Sequence, residues 1–266
     1  MQPGTDVLLV IPTLGDRVDY LQQTIESMLS QDPRPLIRVV VPATRPDAIR
    51  VAREAGAEVL DDPGSLPAAI NLGLQDLPIG IAFVGWLGDD DQLTAGSLRR
   101  TRDALVSRSD AVLSYGSCDY VDGAGSVIWT SRAGRHAQWI LPWGPDLIPQ
   151  PGMLVRRAAW EAVGGVDESL RFAFDLDLLL KLRSQGAFVD VGAVVSMFRW
   201  HAESLTVSDR SQSLDESELV KRRYLSPRMR RLSWAWEKPV RGATRVAAWE
   251  MNRRVARLPA ATSTTS

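Results

Sequence analysis

The sequence predicts an α/β protein: a mostly parallel central sheet with helices on both faces, followed by a basic helical tail. Three observations predict it. Short β-rich apolar runs alternate with amphipathic helical stretches along residues 1–115, the pattern of successive βαβ units. The apolar run Ile81 to Leu87 leads straight into Gly88-Asp89-Asp90-Asp91, and parallel sheets bind ligands beyond the carboxyl ends of their strands. From Leu225 onward nine Lys and Arg residues are opposed by Glu237 and Glu250 alone, although the whole chain carries a net charge of -1.

The elements follow in order. Val7 to Ile11 reads as a strand ended by Pro12 and the Gly15-Asp16 turn signal. Val18, Leu21, Ile25, Met28 and Leu29 recur at helical spacing until Asp32-Pro33. Leu36 to Val41 is a second strand, Asp47 to Ala55 a helix closed by Gly56, and Ala57 to Leu60 a brief strand. Leu66 to Leu77 reads as a helix, Ala95 to Val106 as another, and Ala111 to Tyr115 as the next strand. Asp122-Gly123-Ala124-Gly125 between two β-rich pairs is a hairpin signal. The Pro- and aromatic-rich stretch from Gly134 to Gly152 reads as loop over the site. Ala158 to Val163 and Asp175 to Gln185 read as helices, with strands at Phe188 to Val191 and Val194 to Trp200. The expected division is a catalytic unit over 1–224, its two halves meeting near residue 115, then a tail over 225–266 whose small, polar end from Pro259 is disordered.

Composition bounds the function. A chain of 266 residues with 45% hydrophobic and 24% charged residues can bury a sizeable core. The near-neutral charge gives no reason to expect a nucleic-acid partner. Cys118 is the single cysteine, read as a small buried filler in a reducing compartment. The N-terminus lacks a basic-then-apolar leader, and no run reaches the ~18 to 20 apolar residues of a membrane span. The expected location is therefore cytoplasmic, peripheral on the inner face of the cell membrane.

Three motifs carry chemistry. Close carboxylates at Asp89, Asp90 and Asp91 repel unless a cation neutralises them, and an all-oxygen set suits Mn²⁺ or Mg²⁺. The alternative is a solvated turn capping the next helix. Asp175 and Asp177 open an apolar helix, where they either cap it or serve as a general base and its neighbour. Arg199 and His201 end the last strand, as phosphate partner and metal ligand or as structural residues.

The joint order of these motifs resembles the family-2 glycosyltransferases of the GT-A (Rossmann-like) fold. The resembling segments are VLLVIPTLGDRVDYLQQTIESML, LPAAINLGL, FVGWLGDDDQLTAGSL, QPGMLVRRAAWEAVGGVDESLRFAFDLDLLLKLRSQG and FRWHAESLT, spanning Val7 to Thr206. The resemblance implies an inverting transfer of a sugar from a nucleotide-diphosphate sugar to a glycan, lipid-linked or cell-wall acceptor. It implies that Pro12, Thr13 and Leu14 line the base pocket and that Asn71 lies near the diphosphate. It assigns Asp89 to the ribose or metal, Asp90, Asp91 and His201 to the metal, Asp175 to the base, and Gln150 and Asp177 to the acceptor side. Two departures stand out: no acid follows the second strand, where Val41-Pro42-Ala43-Thr44-Arg45 stands with Asp61 and Asp62 as substitutes, and Gly88 replaces an aspartate that many relatives carry.

The main rival is a nucleotidyltransferase, for which Pro12-Thr13-Leu14-Gly15-Asp16-Arg17 is a poor phosphate loop; a further one is a non-catalytic sugar-binding relative. In the tail, Trp234, Trp236 and Trp249 among arginines over 229–258 have the composition of an interfacial membrane anchor. The same composition suits packing on the domain or on a second copy in a homo-oligomer.

Overall fold

The computed structural model describes residues 5–131, 134, 136–200 and 210–255. His201 and the polar end beyond residue 255 lie outside them. Strands β1 (Val7–Pro12), β2 (Leu36–Val41), β3 (Glu58–Asp61) and β4 (Phe83–Trp86) alternate with helices α1 (Val18–Leu29), α2 (Pro46–Glu54) and α3 (Leu66–Gly73). Then come β5 (Gln92–Leu93), α4 (Ser97–Ser107), β6 (Ala111–Val121), β7 (Val127–Ser131), α5 (Ala137–Ile140), β8 (Leu154–Arg156), α6 (Arg157–Val163), α7 (Phe174–Leu182) and β9 (Ala187–Arg199). α8 (Arg210–Arg223) follows, and the tail supplies α9 (Pro227–Leu232) and α10 (Trp234–Val255).

The sheet runs β3-β2-β1-β4-β8-β6-β9-β5, with β7 paired to β6. β3, β2, β1 and β4 are mutually parallel, as their continuous apolar runs require. The second half is mixed. β8 enters antiparallel between β4 and β6, while β6 and β9 run parallel. The two strands expected at 188–191 and 194–200 are one strand, which passes through Gly192 at φ +65° with a register shift against β6.

Both faces are covered. Alternate β1 residues feed two cores: Val7, Leu9 and Ile11 meet α1, α2 and α4. Leu8 and Val10 meet α3, α6 and α7 on the other side. α3 stops at Gly73, short of the expected Leu77, because it crosses β1 closely; a Cβ on Gly73 would lie 2.4 Å from Val10 Cγ1. Gly164 ends α6 in the left-handed conformation, φ +72°.

The tail folds back on the domain. Trp236 meets Trp143 edge-on at 5.2 Å, Arg222 pairs with Glu237, and Arg241 pairs with Glu218 and Asp215. Those contacts use part of the tail's aromatic and basic composition internally. Leu232 and Trp234 stay exposed, at 53% and 62%. Among the described residues no helix is long and apolar enough to cross a membrane.

Candidate active site

The strand order reverses between β1 and β4: the chain moves from β1 outward through β2 and β3, then returns to β4 on the other side. Their carboxyl ends lie together, with Leu87 N donating to the Val10 carbonyl (2.9 Å). The loops at 12–17 and 88–91 therefore share the crevice where open α/β sheets hold ligands.

Within it the acid motif is tightly held. Thr13 Oγ1 donates to Asp89 Oδ2 and accepts from Gly15 N (2.9 Å). Arg17 reaches Asp89 Oδ1 at 3.1 Å and Asp90 Oδ2 at 2.8 Å. Asp91 is buried, its Oδ1 accepting from Arg199 N (3.3 Å) and its carbonyl from Thr24 Oγ1 (2.7 Å). Burial, then the charge of Asp90, push the Asp91 carboxyl well above the usual carboxylate range, against the lowering bond from Arg199 N. A Cβ on Gly88 would lie 2.9 Å from Asp91 Oδ2 and 3.2 Å from Asp90 Oδ1. The two carboxylate tips thus crowd the space beside Gly88.

The residues expected to line a base pocket lie in the loop after β1, beside this cluster. Pro12 ends β1 buried, Thr13 is consumed in holding Asp89, and Leu14 stands 65% exposed at the mouth. The loop after β2 closes on the same side through the Arg45–Asp16 ion pair at 2.5 Å. Asp61 accepts from Ala43 N (2.8 Å), fixing that loop. Gln150 donates to the Trp86 carbonyl (2.9 Å) at the end of β4.

Asp175 stands in the first turn of α7 and accepts from Leu176 N (2.7 Å). Burial pushes its carboxyl up to about 6. Asp146, in the loop before β8, accepts from Ile148 N (3.0 Å). Solvent reaches Asp146, yet the surrounding protein removes enough water that burial, followed by the Asp175 charge, pushes it up to about 7. Lys221 of α8 opposes that charge and is itself lowered by burial.

Three residues expected in the site hold structural contacts. Arg199 is buried with its guanidinium bonded to Gln23 Oε1 (3.0 Å), the Gly123 carbonyl (2.9 Å) and the Asp90 carbonyl (3.3 Å), over the Tyr20 ring at 4.2 Å. It ties α1, the hairpin turn and the acid motif together, and no nitrogen is turned outward to a phosphate. Asn71 donates to the Val166 carbonyl (3.0 Å) and Glu168 (2.8 Å) and accepts from Val166 N (3.0 Å). It clamps the segment after α6, beside an open groove of about 760 Å³ whose lining includes none of the acid motif. Asp177 is buried, its Oδ1 accepting from Tyr224 Oη (2.8 Å) and its Oδ2 lying 2.9 Å from Lys181 Nζ. It fastens α7 to the start of the tail and faces no acceptor space.

No protein-family profile matches the sequence, nor does any curated protein. Solved structures do match. Crystal structures of S. aureus TarS align at TM-score 0.58 and 13% identity over 83% of this chain. This chain spans 42% of that one. TarS 1-349 in complex with UDP aligns at 0.59 and 14%, covering 83% of this chain and 70% of that chain. The mannosyltransferase PcManGT from Pyrobaculum calidifontis, in complex with GDP-Man and Mn²⁺, aligns at 0.61 and 15%, covering 92% of this chain and 75% of that chain.

The chain has a GT-A-like glycosyltransferase fold. At these identities the likeness establishes architecture; chemistry rests on the residues. Two of those escape sequence reasoning. Arg17 looks like an ordinary residue before a helix and proves to bridge two carboxylates. Glu216 of α8 accepts from Arg171 N (3.0 Å), Phe172 N (2.5 Å) and Ala173 N (2.7 Å), capping from outside the helix that carries Asp175. Among the described residues no three His, Cys, Asp or Glu side chains form a metal-holding group. Cys118 is buried, and burial pushes its thiol up to about 12, so it is an inert filler as expected.

Proposed function

We propose that this chain is an inverting glycosyltransferase that moves a sugar from a nucleotide-diphosphate sugar to the hydroxyl of a glycan or lipid-linked acceptor. The observation that carries the reading is a carboxylate cluster braced by Arg17 and Thr13 at a strand-order switch; α7 adds a desolvated carboxylate, Asp175. Asp90 and Asp91 would hold Mn²⁺ or Mg²⁺: their oxygens converge over Gly88, and Asp90 already accepts one cation from Arg17. When bound, such an ion neutralises the leaving diphosphate. Leu14, exposed at the mouth, packs on the base, and Thr13 keeps Asp89 aimed at the ribose. Asp175 takes the proton from the acceptor hydroxyl as its oxygen bonds to the anomeric carbon, on the face opposite the departing nucleotide. A carboxyl lifted to about 6 by burial is the stronger base for that step.

The tail adds a location. Exposed Leu232 and Trp234 beside exposed Arg228, Arg230 and Arg231 fit an anionic membrane face, which suits a lipid-linked acceptor. Deleting 229–266 is expected to abolish co-sedimentation with anionic vesicles; undiminished binding removes the membrane role.

The deciding test is a thermal-shift and turnover screen of nucleotides and nucleotide sugars with and without Mn²⁺ or Mg²⁺. Metal-dependent stabilisation by one nucleotide, with transfer from its sugar, is expected. No response to any nucleotide overturns the reading.

A further inference from the structure

The acceptor half carries a row of aromatic rings that neither the core nor the chemistry above explains. Tyr120 of β6 pairs in register with Phe198 of β9 on one side and Trp129 of β7 on the other. Its ring lies 5.3 Å from each of theirs. Trp200, two residues past Phe198, lies 6.0 Å from Tyr120 and 6.4 Å from Phe198. Arg199 between them turns the other way, to Gln23 and Gly123, so the rings share one face of the sheet. All four keep some contact with solvent, and Trp129 is 42% exposed.

The row begins at the reactive crevice. Arg199, between Phe198 and Trp200, donates its backbone N–H to Asp91 Oδ1 (3.3 Å) and its Nε–H to the Asp90 carbonyl (3.3 Å), so the strand end that carries two of the rings abuts the acid motif. Cross-strand aromatic pairs stabilise a hairpin through two rings. Four rings, ending on a partly exposed tryptophan, exceed that need.

We propose that Tyr120, Trp129, Phe198 and Trp200 form a stacking strip for the sugar rings of the acceptor. A pyranose presents a face of C–H groups, which the electron-rich face of an aromatic ring attracts, while its hydroxyls point sideways. Three strands at roughly 4.8 Å spacing make a strip about 10 Å long, the span of a disaccharide. The acceptor is accordingly a glycan of at least two sugars, whether free or lipid-linked. This rests on the glycosyltransferase reading, which it sharpens by naming the acceptor class.

The test uses the full chain and saturation-transfer NMR with cellobiose, maltose and N,N′-diacetylchitobiose, irradiating aromatic protons. Transfer to the ring C–H protons of at least one disaccharide is expected, with binding roughly tenfold weaker in Trp129→Ala and recovered in Trp129→Phe. Absence of transfer from all three, or equal binding by Trp129→Ala, overturns the strip. Nucleotide binding with Mn²⁺ is followed in parallel on the unmodified chain. Sugar binding at the strip without any nucleotide response would sink the transferase reading and leave the strip standing, whereas the reverse would sink the strip alone.

Discussion

Asp89 and Asp90, in the parallel half of the sheet, share one arginine, and Asp89 also accepts from a threonine hydroxyl. Asp146 and Asp175, in the mixed half, each accept one backbone N–H within a turn and are raised chiefly by burial. Asp89 and Asp90 are compensated and held in place, Asp91 beside them is buried and raised, and Asp175 across the sheet is raised to about 6 by burial. The contrast follows from position. Loops at a strand-order switch receive hydroxyl and guanidinium partners from the neighbouring loop, while a carboxylate in the first turn of a packed helix exchanges water for hydrocarbon. A displacement needs both kinds: carboxylates that stay charged to hold a cation, and one that accepts a proton.

The largest expected effect comes from breaking the compensated side. Asp90→Asn should lower kcat by about 10³-fold and abolish the thermal stabilisation by nucleotide that depends on Mn²⁺; a variant still stabilised in that way would remove Asp90 from the metal site. On the desolvated side, Asp175→Asn should lower transfer by about 10²- to 10⁴-fold, with nucleotide affinity measured by calorimetry unchanged. Retained transfer would shift the base to Asp146.

The pH dependence sharpens the same contrast. Transfer should rise with pH through about 6, where Asp175 loses its proton. For stability the sign is opposite. A carboxyl whose folded value is raised from 3.8 to about 6 makes the fold less stable as pH climbs through that interval. Asp175→Asn should therefore melt higher than the parent at pH 8, by roughly 2–4 °C for each kcal/mol recovered, and equal it below about pH 4. A constant difference across pH would mean that Asp175 is not desolvated. The smallest effect is indirect: Glu216→Ala leaves three backbone N–H groups uncapped. It should cost about 1–3 kcal/mol of stability, read by denaturant titration, with kcat falling and nucleotide affinity unaffected.

The parallel half was legible because each strand there is a continuous apolar run and each helix a clear stripe, as at Val7 to Pro12 and Leu21, Ile25 and Met28. β8 escaped notice because Leu154–Arg156 is three residues long and passes directly into α6. Gly192 split β9 on paper, since a glycine inside a strand reads as a break although here it marks a bulge. The place of the acid motif at a strand end is legible from its setting. The structural contacts of Arg199, Asn71 and Asp177 are not, because residue type reveals that a group must be satisfied but not by what. Each is satisfied by backbone or side chains distant in sequence. Glu216 gave no signal at all, lying in a helix of almost wholly polar sequence.

The clamp of α8 on α7 also fixes an order of events during synthesis. The nine strands of the described residues lie within residues 7–199, so that sheet can close before α8 has left the ribosome. The cap on α7 cannot form until Glu216 emerges, nor the Asp177 anchor until Tyr224 does. A nascent chain would thus pass through a stage with a finished scaffold and an unfastened Asp175, and its chemistry would be armed last.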